Sequence, residues 1–311
     1  MLIHSIFRRS PTAILWKCVG DMTEQPRTTF RSGPEILPPS DMALACEAAG
    51  TAKASRDAVT LIVLGLLAGA FIAFGALFMT VVMTGAGDLP YGVARLLAGL
   101  VFSLGLILVI VGGAELFTGD SLMIVAYASQ RITFGALLRA WSLVYVGNIG
   151  GAIGTAALVF LAGQHDFGGG LLGKTALTIA SAKAALPTAH LFFLALLCNV
   201  LVCLAVWMSF GARTVTDKVV VIVPPIAAFV AAGFEHSIAN LYFLPYSLMV
   251  KSFAGSEFWA AIGQNAEDYP SLTVASALHN ILVATIGNLV GGSLLVGAIY
   301  WFVYLRRTRN W

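Results

Sequence analysis

The chain has 311 residues, of which 59% are hydrophobic and only 11% charged, whereas an ordinary soluble domain carries about a quarter charged residues. That balance belongs in lipid. A formal net charge of +3 dispersed along the chain gives no footprint for nucleic acid, and Cys18, Cys46, Cys198 and Cys203 include no Cys-x-x-Cys spacing, so neither a disulfide framework nor a zinc site is indicated.

In chain order, residues 1–36 read as a polar, irregular tail, and Thr12 to Trp16 is too short for the apolar region of a secretory signal. Leu37-Pro38-Pro39 followed by Met42, Ala43, Ala45, Ala48 and Ala49 predicts a short helix over 37–56 at the membrane surface. A transmembrane domain over 57–307 follows, with six apolar segments: Val59 to Met83, Tyr91 to Tyr127, Trp141 to Gly163, Thr188 to Phe210, Val219 to Val250 and Leu278 to Leu305. Residues 308–311 form a tail. Backbone polar groups in hydrocarbon must be satisfied internally, and continuous apolar runs exclude an alternating barrel, so the fold class is all-α membrane protein. The second and fifth segments are too long for one crossing. Each carries a polar interruption, Gly112 to Asp120 in the second and Gly233 to Ser237 in the fifth, which predicts two broken helices.

Lysine and arginine set the orientation. With both termini cytoplasmic, fourteen of the eighteen fall on that side, leaving Arg95, Lys174, Lys183 and Lys251 on the other. The halves also resemble each other. Gly147-Asn148-Ile149-Gly150-Gly151 in the third segment matches Gly287-Asn288-Leu289-Val290-Gly291-Gly292 in the sixth, and a Gly-x-Glu break occurs at Gly113 and at Gly233. Three spans per copy is an odd number, so the second copy enters from the opposite side: two inverted three-helix repeats, with the permeating species expected at the discontinuous helices. Half-helices ending in mid-membrane expose N–H groups and a positive dipole end, which favours an anion. The Gly-x-x-x-Gly spacings in segments three and six read as close helix packing.

Phe71-Ile72-Ala73-Phe74-Gly75, Glu115-Leu116-Phe117-Thr118-Gly119, Cys203 to Ser209 and Ala232 to Asn240 resemble the formate/nitrite transporter family, and within it formate channels more than the nitrite or hydrosulfide branches. The resemblance runs from about Leu37 to Arg307. It implies an aquaporin-like fold, a homopentamer with one pore per protomer, an inner-membrane location and formate or a similar small anion as substrate. It also implies His236 as the central histidine with Thr118 and Asn199 as polar neighbours, Phe102, Leu106, Leu116, Phe117, Val202 and Phe229 at apolar constrictions, and Lys183 as a basic residue near the outer vestibule. Gating by the short N-terminal helix is implied only by the resemblance. Asp120 departs from the family pattern, and a carboxylate there would weaken anion entry unless it is neutral or paired.

Residue by residue, an ionisable group inside the membrane is a functional candidate by default, so His236 carries the site and Thr118 and Asn199 accompany it. Glu115 and Glu235 read as structural, capping or bridging backbone groups freed at the breaks. Asn148 and Asn288 read as interhelical glue, and His190 and His279 as interfacial. No nucleophile constellation, phosphate loop or metal cluster argues for an enzyme, and no cofactor is expected. A nitrite channel is the nearest alternative. A water or neutral-solute pore lacks an Asn-Pro-Ala pair at either break, and a haem-binding subunit lacks a second mid-membrane histidine.

Overall fold

The computed structural model describes residues 36–307; the expected tails at 1–35 and 308–311 lie outside the described residues. All regular structure among the described residues is helical. Helix α1 (Pro39–Ala54) occupies the stretch expected as a short helix and buries Met42, Ala43, Cys46, Glu47 and Gly50. Then come α2 (Ala58–Met83), α3 (Tyr91–Gly112), the short α4 (Phe117–Asp120) and α5 (Ile124–Ala128), and α6 (Phe134–Leu161). The second half runs α7 (Leu171–Ala184), α8 (Thr188–Gly211), α9 (Val215–Ala231), α10 (Ser237–Phe253), α11 (Ser256–Ile262), α12 (Val274–Val290) and α13 (Ile299–Tyr304). A π-helical stretch, Gly291–Ala298, joins the last two.

Local chemistry sets the ends. Asp57 caps α2, its carboxylate accepting from Thr60 N at 2.9 Å, and Thr133 caps α6 by accepting from Ala136 N at 3.1 Å. Helix α6 therefore begins seven residues before the expected Trp141: the sequence reading followed hydropathy, and Arg139 in the first turns masked a helix that its cap starts at Phe134. Similarly, the Thr273 cap, with Ser276 answering it, starts α12 at Val274 rather than Leu278. Helices α3 and α9 both stop at a glycine in the left-handed region, Gly113 at φ 79° and Gly233 at φ 75°, a conformation that ends a helix cheaply only without a Cβ.

Five helical stretches are individually long and apolar enough to cross a membrane: Ala58–Met83, Tyr91–Gly112, Phe134–Leu161, Thr188–Gly211 and Val274–Tyr304. The fifth expected segment is not among them, because it is divided into α9 and α10, each of 17 residues. Helix α2 packs along α6 and α3, α3 along α9, and α8 along α12. The segment after each left-handed glycine, Gly113 and Gly233, runs into this bundle and starts a new helix inside it.

Candidate functional site: a buried imidazole between two cavities

Two short non-helical segments meet the bundle interior, and one asparagine supports each. Asn148 Oδ1 accepts from Phe117 N at 2.9 Å, while its Nδ2 donates to Glu115 O at 3.0 Å and to Gly65 O at 2.7 Å. Asn288 Oδ1 accepts from Ser237 N at 2.8 Å, and its Nδ2 donates to Glu235 O at 2.9 Å and to Ala195 O at 2.7 Å. Glu115 N donates to Leu64 O and Glu235 N to Leu194 O. Each arrangement satisfies buried backbone groups that have no helical partner and that would be costly to leave unpaired. The bonds to Gly65 and Ala195 also tie neighbouring helices, as expected of interhelical glue.

The glutamates do something else. Lys53 Nζ lies 2.6 Å from Glu115 Oε2 and 2.5 Å from Asp120 Oδ1, and Arg56 also pairs with Glu115. Lys183 Nζ lies 2.8 Å from Glu235 Oε1, and Glu235 Oε2 accepts from Asn240 Nδ2 at 2.7 Å. So both carboxylates hold cations, and the backbone groups they were expected to satisfy are held by the asparagines, whose amides can donate and accept at once. Asp120 meets the condition set for it, since Lys53 pairs with it.

His236 is the N-cap of α10 and is buried. Ala239 N donates to its Nδ1 at 3.1 Å, so Nδ1 carries no hydrogen, and a neutral ring holds its hydrogen on Nε2. There Thr118 Oγ1 lies at 3.0 Å and accepts. Asn199 Nδ2 faces Thr118 O at 3.1 Å, Ser121 Oγ at 3.0 Å and Asn288 O at 2.6 Å. The structure thus joins His236, Thr118 and Asn199, with Asn199 gripping the Thr118 backbone. Gly292, at the π-helical stretch, leaves the space that Ser121, Asn199 and Cys203 fill.

Two cavities flank the ring. One of about 350 Å³ is lined by Arg95, Phe102, Lys183, Phe229, Glu235 and His236 among others. A second of about 10 Å³ is lined by Ile72, Phe102, Leu106, Leu116, Val202, Ile226, Phe229 and His236. Phe102 and Phe229 bound both, edge to face with centroids 5.5 Å apart, and Phe229 stacks on His236 at 5.9 Å. Five of the six expected constriction residues therefore meet. Phe117 does not join them: its ring packs on Tyr145 at 4.8 Å and Trp141 at 6.5 Å. His190 and His279 are exposed near helix starts, away from this cluster. Sequence reasoning missed Ile72, Ile226, Arg95 and Lys53; only Ile72 lay inside a motif that had been singled out, Phe71 to Gly75.

The formate/nitrite transporter family model matches residues 40–302. The chain belongs to this family. It is 43% identical over 273 residues to the formate channel FocA of Escherichia coli (strain K12), covering 88% of this chain and 96% of that protein. It is 39% identical to FocA of Haemophilus influenzae over 252 residues, covering 81% of this chain and 89% of that protein. A solved structure of a pentameric formate channel with formate bound matches with a TM-score of 0.77 at 45% identity, covering 80% of this chain and 98% of that one. An FNT family ion channel matches at 0.70 and 28% identity, covering 85% and 99%. The family thus extends over all the elements that build the site, from α1 to α13.

Proposed function

We propose that this family member conducts formate, or a closely similar small monovalent anion, across the inner membrane as a homopentamer with one route through each protomer. The observation that carries the reading is the position of His236, the one polar side chain among the described residues that line the small cavity, at the wall it shares with the large one. The names of the relatives supply the substrate class. Both termini are assigned to the cytoplasm on the lysine and arginine distribution, which makes the large cavity the outer vestibule and α1 the inner cover.

Two inverted repeats with discontinuous second and fifth spans account for the matching networks. The paired asparagines, paired Lys–Glu contacts and paired left-handed glycines support them. The copies extend to the flanking helices as well: α1 buries Met42, Ala43, Cys46, Glu47 and Gly50, and α7 buries Leu172, Gly173, Ala176, Leu177 and Ala180 at the same spacing. With Gly113 aligned on Gly233 and Glu115 on Glu235, Leu116 corresponds to His236, so the imidazole faces the small cavity together with its own apolar counterpart.

In the proposed cycle the anion collects in the vestibule, parts Phe102 and Phe229, and displaces Thr118 as acceptor of the Nε2 hydrogen. A bare carboxylate loses several kcal/mol of hydration in such a slit, so it needs a proton or a counter-charge. For the ring to give up a proton it must first hold two, and the second, taken from water on the vestibule side, has only Nδ1 to occupy, where Ala239 N–H now points. Protonation therefore costs α10 its cap, and the charge of the arriving anion offsets that cost. Formate uptake into proteoliposomes, recorded with internal pH, is expected to acidify the lumen with the native chain and to lose that signal in His236→Asn. Unchanged proton-linked flux in the variant removes His236 from the mechanism, and a nitrite arm reads the alternative substrate.

A further inference from the structure

The vestibule contains two cations, and their surroundings differ. Lys183 is paired with Glu235 at 2.8 Å, and that carboxylate is further engaged by Asn240. Together they are close to neutral. Arg95, from the first turns of α3, reaches across to the end of α9: Nε donates to Ala231 O at 3.3 Å and Nη2 to Val230 O. The last carbonyls of a helix are natural partners for a cation and keep its charge. No carboxylate pairs with Arg95 among the described residues. Two of its five N–H groups are used, and the guanidinium lines the large cavity beside Gly233, three residues before His236. On the opposite side, Lys53 and Arg56 meet Glu115 and Asp120, two charges against two.

We propose that Arg95, rather than Lys183, is the uncompensated charge that concentrates the anion in the vestibule, a specificity-determining residue for the transport proposed above. The inference rests on that reading for the identity of the anion but not for the field itself. Fixed to the α9 carbonyls, the guanidinium holds its charge at the slit without closing around the substrate. The Lys183–Glu235 pair serves as a neutral strut between α7 and the segment before α10.

The test separates field from transport. Ala182 is exposed and lines the cavity, and Cys46, Cys198 and Cys203 are buried, so Ala182→Cys in a full-length Cys18→Ser background is a vestibule probe. Its rates of modification by an anionic sulfonate and a cationic quaternary-ammonium methanethiosulfonate give a ratio that reports local potential. Adding Arg95→Gln is expected to lower the anion-to-cation ratio roughly five-fold, and Arg95→Lys to preserve most of it. Formate half-saturation should rise about three-fold in Arg95→Gln with maximal flux retained. An unchanged ratio in Arg95→Gln overturns the proposal. If the glutamine variant fails to assemble, the ratio in a Lys183→Gln/Glu235→Gln double variant decides: an unchanged ratio supports Arg95 as the source of the field, and a fall of similar size overturns it. Absence of formate flux in a protein whose ratio behaves as expected removes the transport reading and leaves the charge assignment standing.

Discussion

Asn148 and Asn288 show how much one buried amide can hold. Each accepts one backbone hydrogen bond and donates to two carbonyls, fixing a non-helical segment against two neighbouring helices. Removing the amide leaves several buried polar groups unpaired, at about 1–3 kcal/mol for each. Asn148→Ala and Asn288→Ala should each cost about 2–4 kcal/mol, by similar amounts, read as matched losses of thermal stability in detergent. A large loss in one and none in the other would break the equivalence of the halves. Their importance was partly legible, because the Gly-Asn motif repeats in the sequence. Their partners were not: which of a glutamate and an asparagine meets a freed N–H depends on what else is near, and Lys53 and Lys183 arrive from helices distant in sequence. Arg95 was legible only as a charge on the sparse side, since the α9 carbonyls that hold it come from the other half of the chain.

At the level of helices, glycine placement decides how closely α2 meets α6 and α8 meets α12. A Cβ at Gly151 would strike the Leu66 carbonyl, and one at Gly291 the Leu196 carbonyl, whereas at Gly150 and Gly154 nothing lies within 4 Å. With no hydrophobic drive between helices in lipid, such backbone contact is a main source of cohesion. Gly151→Ala and Gly291→Ala are therefore expected to lose about 1–3 kcal/mol or more, seen as reduced yield of assembled protein and earlier thermal unfolding. Gly150→Ala and Gly154→Ala should be near neutral by the same measurement. Close packing in these segments could be read from the glycine spacing. The span limits at Phe134 and Val274 could not be read from hydropathy, which is blind to a threonine cap. Nor could the π-helical stretch at Gly291–Ala298, where Gly292 lies against Asn199, Ser121 and Cys203 from elsewhere in the chain.

For the whole molecule, composition and apolar runs led directly to an all-helical membrane chain, and the match over 40–302 places it in its family. The assembly is a matter of surfaces between copies, which no single chain reveals. The proposed pentamer predicts five copies by native mass spectrometry of the detergent-solubilised protein, and a tetramer or monomer there would refute it. Many large apolar side chains on α2, α3, α6, α8 and α12 are exposed in one protomer, as they must be if lipid and neighbouring copies cover them. The small cavity beside His236 has a further meaning for the cell. At about 10 Å³ it is at or below the room one water needs, so a file of waters would be interrupted at this cavity in this conformation. Hydrogen ions hop along such files. An interruption one molecule wide lets the membrane keep its electrochemical gradient while leaving a conduit ready for an acid anion.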